Sequence, residues 1–162
     1  MQGMTTRPSL AIAVLMLAAV PAAAQVPAEF QGEWVAASAA CTAPARVRFE
    51  AARVTLINGA DMESFGGIEM AGPSYFGPDY AGIQRVLISE FEGAQPVTAT
   101  FNVNEKKGVG QLELGVPTPA HPANKVAAAS NARLAKLSLR TRFPLQNVPL
   151  KRCPAAGRAG AK

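Results

Sequence analysis

Between Val97 and Asn104 the chain reads Val-Thr-Ala-Thr-Phe-Asn-Val-Asn, one apolar and one polar residue at every step. A period of two places alternate side chains on opposite faces of a β-strand, one face on a core and the other in water. Asn104-Glu105-Lys106-Lys107-Gly108 then supplies turn residues, and residues 109–116 return with Leu112, Leu114 and Val116 in phase. The pair predicts an antiparallel hairpin.

The same signal recurs along the chain. Residues 46–50 alternate charged and apolar side chains, and residues 54–57 are apolar and β-branched up to a turn at Asn58-Gly59. Residues 83–91 are rich in β-formers. The strongest expected strand is 135–143, with Ala135, Leu137, Leu139, Thr141 and Phe143 facing one way and Lys136, Ser138, Arg140 and Arg142 the other. Six or more such strands with Gly/Pro punctuation predict an all-β fold. The expected architecture is a small antiparallel barrel or sandwich of about six to eight strands, with a short helical or irregular segment near 120–132. Two stretches interrupt the alternation: the Gly- and Pro-rich segment 66–82, and segment 117–132, which opens Pro-x-Pro-x-x-Pro. Both are expected as long connections, where function often resides.

The start of the chain predicts export. Arg7 precedes an apolar run at 10–20, then Pro21 and Ala22-Ala23-Ala24, an Ala-x-Ala cleavage pattern. A membrane span needs roughly 20 apolar residues, so this run is a leader core rather than an anchor. The expected organisation is a signal peptide at 1–24, a single β domain at 25–154 and a disordered basic tail at 155–162. The mature domain is expected in the periplasm or outside the cell, with no membrane span and no nucleic-acid partner. In an oxidising compartment the two cysteines, Cys41 and Cys153, are expected to pair. A bridge between them closes nearly the whole domain, which the chain-entropy model values at about 4–5 kcal/mol. With no Cys-x-x-Cys pair, its expected role is a structural clasp.

Near the expected mature start the chain reads Phe30-Gln31-Gly32-Glu33-Trp34. A Gly-x-Trp on the first strand of a short exported β protein resembles the lipocalin-like barrels, and also the small secreted bacterial β-barrels that inhibit metalloproteases. The resemblance implies that Gly32 and Trp34 are structural, the tryptophan closing one barrel end by packing on its core. The cysteines depart from the inhibitor pattern, whose bridges are local, and the later lipocalin motifs are absent.

Groups for catalysis are scarce. The one histidine, His121, lies between prolines, and neither a Gly-x-Ser-x-Gly elbow nor a phosphate-cradling glycine loop accompanies it. One histidine and two paired cysteines make no zinc site. Asp61, Glu63 and Glu69 are the carboxylates placed to act as an acid–base pair if two of them converge. No catalytic residue, metal or cofactor is therefore assigned.

Charge is uneven. Residues 25–132 hold seven basic and eleven acidic side chains, whereas 133–162 hold eight basic and none acidic. Lys136, Arg140 and Arg142, on one face of the expected strand, are candidates for binding an anion such as a phosphate or acidic glycan. Acidic neighbours such as Glu90, Glu92, Glu105 or Glu113 would instead pair with them across strands. Tyr75, Phe76 and Tyr80 are candidates for a binding lip on the 66–82 loop. Together these features predict a non-enzymatic binding protein for a small apolar or anionic ligand or an envelope component. The alternative is an inhibitor of an exported hydrolase, a protease or lysozyme, acting on a protein partner through a loop.

Overall fold

The computed structural model describes residues 24–71, 84–119, 121 and 123–155. The expected leader, Tyr75, Phe76, Tyr80 and nearly all of the basic tail lie outside the described residues. In chain order the elements are β1 (Gly32–Ala36), β2 (Ala45–Glu50), β3 (Arg53–Asn58), β4 (Asp61–Phe65), β5 (Ile68–Ala71), β6 (Gln84–Ile88), β7 (Val97–Phe101) and β8 (Val109–Leu114). Then follow α1 (Lys125–Leu137), α2 (Leu139–Arg142) and β9 (Pro149–Arg152).

Local chemistry accounts for the tight turns. Asn58 pairs with Asp61 across Gly59-Ala60, and Gly59 supplies the positive φ of 62° that a two-residue hairpin loop needs. The β7–β8 connection carries two asparagines, Asn102 and Asn104, in left-handed conformation, and the Gly108 N–H donates to Asn102 Oδ1.

All nine strands join one antiparallel sheet in the order β4-β3-β2-β1-β9-β8-β7-β6-β5, curled into a half-barrel. Two meanders, β1–β4 and β5–β8, meet at β9, which lies between β1 and β8. The last described strand is thus the middle strand of the sheet. Alternating directions across nine strands leave the two edges, β4 and β5, running the same way. Only Gly66 and Gly67 separate them. β4 and β5 are therefore successive halves of one run that pairs first with β3 and then with β6.

Two expectations need correction. Among the described residues there are nine strands rather than six to eight, and one continuous sheet rather than the two of a sandwich. The segment 135–143 is not a strand: α1 runs to Leu137, Ser138 turns the chain at a φ of 47°, and α2 continues to Arg142. Between 125 and 142 the sequence is dominated by Ala, Leu, Lys and Arg, all strong helix formers. Asn124 caps α1 by accepting from the Ala127 N–H, and Ala127, Asn131 and Leu134 are buried at the i, i+4, i+7 spacing of one helix face. The expected helical segment near 120–132 does form, but it starts at Lys125 and extends further along the chain.

Alternation builds the interior. Trp34, Val47, Phe49, Leu56, Val86, Ala99, Phe101, Leu112, Leu114 and Leu150 belong to one continuous buried cluster. At one end Phe30 lies flat on Phe101, ring centroids 4.3 Å apart, and Trp34 and Phe49 pack at angles to the same ring. Val26 is buried there too, held as its N–H donates to Ala51 O. Leu134, Leu139, Phe143 and Leu145, from the helices and the segment after them, belong to the same cluster. Strand side chains, an N-terminal flap and the helical segment thus fill one core.

Candidate functional site

Sequence reasoning placed its candidates in separate regions, and the fold keeps most of them apart. Cys41 and Cys153 are joined, with Cα atoms 5.7 Å apart. The Cys153 N–H donates to Glu33 O, continuing the β1–β9 ladder by one step past Arg152. The bridge therefore fastens the end of the middle strand to the loop leading out of β1. An open cleft of about 470 Å³ lies beside it, lined in part by Gly32, Glu33, Thr42 and Arg152.

Trp34 is 1% exposed, and its indole N–H donates to Phe30 O at 2.9 Å, tying the N-terminal flap to β1. Its ring lies over Gly110 of β8, where a Cβ would come within 3.1 Å of Cζ3. Gly32 adopts a φ of 120° and faces the Arg152 side chain. Trp34 is packed into one end of the core, and Gly32 stands at its edge.

Arg140 and Arg142 lie on the helical segment rather than on a strand face, and their guanidinium groups take different partners. Lys136 is exposed in the last turn of α1. Arg142 folds back over β4, its Nε and Nη2 donating to the Asp61 carboxylate at 2.9 and 2.6 Å and its Nη1 to Glu63 Oε2 at 2.9 Å. Nη1 also donates to Leu137 O, and the guanidinium stands 4.9 Å from the Phe143 ring centre. The hydrogen bonds from Arg142 hold the Asp61 carboxyl below the usual range, and those to Asp61 and Glu63 raise Arg142 further above neutrality. The acid pair that sequence offered as a proton donor and acceptor is thus committed to a structural arginine, a poor arrangement for general acid catalysis.

Of the acidic partners suggested across strands, Glu90 approaches a cation, Arg133 at 3.8 Å, with Arg133 also over the Phe91 ring. Glu33 instead takes Arg48 and Arg46. His121 sits in the turn before α1, its Nδ1 accepting from the Ala123 N–H, and it is exposed. Among the described residues no three His, Cys, Asp or Glu side chains converge as a metal site, and no helix is long and apolar enough to cross a membrane.

Comparison with protein-family models, with characterised proteins and with solved structures finds no match to this chain.

Arg140 reaches a cleft. Its Nε donates to Leu114 O at 2.8 Å, and Arg140 lines a depression of about 370 Å³ together with Glu113, Gln95, Val116 and Thr118. Sequence reasoning named Arg140 but missed its companions. Glu113 was named only as a charge partner, while Gln95 and Val116 carried no motif. The cleft forms where the 93–96 turn meets the end of β8. The only signal there was Gly93 and Gly115: a side chain at Gly115 would strike the Gln95 backbone.

Proposed function

We propose that this chain is an exported, non-enzymatic binding protein that engages a protein partner through its outer surface. The specific form we favour is inhibition of an exported hydrolase such as a protease or lysozyme. One observation carries the choice between the two classes of ligand. The space that a lipocalin-like barrel offers to a small apolar ligand is occupied here by the chain's own side chains. Phe30 stacks on Phe101 beside Trp34 and Phe49, and Leu134, Leu139 and Phe143 join the same cluster. A small-molecule site is typically a concavity of about 300–1,000 Å³ that surrounds its ligand, whereas the described clefts lie outside this core. The commitment of Arg142 to Asp61 and Glu63 likewise favours this reading over binding of an anionic envelope component.

Export is supported by the leader pattern and by the Cys41–Cys153 bridge, a feature of oxidising compartments. A lipocalin-like assignment is supported by the curled antiparallel meander and the Gly32-x-Trp34 start. The experiment is a titration of the mature, oxidised protein into exported metalloproteases, serine proteases and lysozymes. The expected result is stoichiometric loss of one hydrolase's activity and a complex that co-elutes on size exclusion. Full activity of every class at micromolar protein would overturn the inhibitor reading.

A further inference from the structure

The cleft between the 93–96 turn and the end of β8 is built more firmly than a surface depression needs to be. Each part of its wall is pinned from behind. Gln95 Oε1 accepts from the Ile88 N–H, and the Gly115 N–H donates to Pro96 O. Thr118 N–H donates to Oδ1 of Asn131, a buried polar side chain whose own amide donates to Ala127 O within α1. Leu114 is held on both sides, its N–H donating to Gln146 Oε1 and its carbonyl accepting from Arg140 Nε.

Two charges lining this rigid cleft are unspent. Among the described residues Arg140 donates only through Nε, with both Nη groups left over, and the Glu113 carboxylate makes neither a hydrogen bond nor an ion pair. Among the described residues they form no ion pair with each other. Val116, one of the few large apolar side chains left exposed, is also part of the wall. The Gln95 amide N–H₂ adds an uncommitted donor. A lone anion would meet Glu113, and a lone cation would meet Arg140. The ligand that satisfies both carries both charges, held apart by a short backbone. A volume of about 370 Å³ admits one or two amino-acid residues.

We propose that this cleft binds a short zwitterionic peptide, its carboxylate on the Nη groups of Arg140, its ammonium on Glu113 and its chain along Val116. The fixed wall means that little ordering cost is left for binding. The site is independent of the hydrolase reading and stands or falls separately from it.

The test is an NMR titration of the mature, oxidised protein with alanyl-alanine, its N-acetyl derivative and its C-terminal amide. The expected result is saturable shifts at residues 93–96, 113–118 and 140 with the free dipeptide. Each capped form should bind about tenfold more weakly, as expected for one lost charge-assisted hydrogen bond. Arg140→Ala should abolish the preference for the free carboxylate. Glu113→Gln, on an exposed strand position, should abolish the preference for the free ammonium and keeps the test decisive if Arg140→Ala does not fold. Equal weak shifts with all three compounds, or none in the cleft, would overturn the proposal.

Discussion

At the scale of single residues, the contact between Trp34 and Gly110 sets the packing at one end of the core. With no Cβ at 110, the indole lies against the β8 backbone, and any side chain there forces it away. Gly110→Val should cost about 1–3 kcal/mol, the usual penalty of overpacking, read from the urea midpoint. Trp34→Ala should cost about 3–5 kcal/mol and also leaves Phe30 O without its donor. Because Trp34 is the only tryptophan, its fluorescence reports this site alone. Emission should be blue-shifted in the folded protein and move to the red in Gly110→Val. The burial of Trp34 and the pairing of the cysteines were legible because each depends on chemistry the residue carries everywhere: a large apolar ring seeks a core, and two thiols expected in an oxidising compartment are expected to pair. The partner of Arg142 was not legible, because Asp61 and Glu63 lie some eighty positions away and are brought near only by the sheet.

At the scale of elements, the β7–β8 hairpin and a helical segment near 120–132 were legible, whereas α2 and the reach of α1 to Leu137 were not. The 97–104 alternation became β7, with Val97, Ala99 and Phe101 all buried. The equally regular 135–143 pattern became two helices, because alternation in nine residues does not outweigh a window of strong helix formers with a capping Asn124. The break at Ser138 hides the helical period, as it resets the phase between Leu134 and Leu139. Ser138→Gly should remove the left-handed strain and raise stability by roughly 0.5–1 kcal/mol, measured by thermal unfolding. β4, β5 and β9 were missed for a different reason. Each is at most five residues long and buries few apolar side chains, so pairing rather than pattern makes it a strand. The Arg142 latch joins α2 to β4 and carries a pH dependence. Asp61 has a lower pKa folded than unfolded, so its stabilising contribution is complete above the unfolded value, about 4, and is lost as pH falls through the folded one. Stability should therefore fall below about pH 4, and Arg142→Ala should flatten that slope. An unchanged acid limb in the variant would place the lost charge elsewhere.

At the scale of the whole molecule, the last strand joins the two meanders, and the disulfide holds that strand in place. β9 pairs over only three residues on each side. Its retention therefore leans on the Cys41–Cys153 bridge, which spans 112 positions. Replacing both cysteines with serine should lower stability by about 4–5 kcal/mol in the chain-entropy model. Hydrogen exchange should show β1, β8 and β9 opening first, whereas uniform loss of protection would mean the seam is not the weak point. The function proposed follows from the same architecture: a core filled by its own side chains leaves recognition to the outer surface. Native mass spectrometry of the mature protein, purified from the exported fraction without refolding, tests that most directly. The predicted spectrum is the bare chain, two hydrogens lighter than its reduced form. A co-purifying small apolar mass that survives gentle ionisation and leaves on denaturation would contradict it.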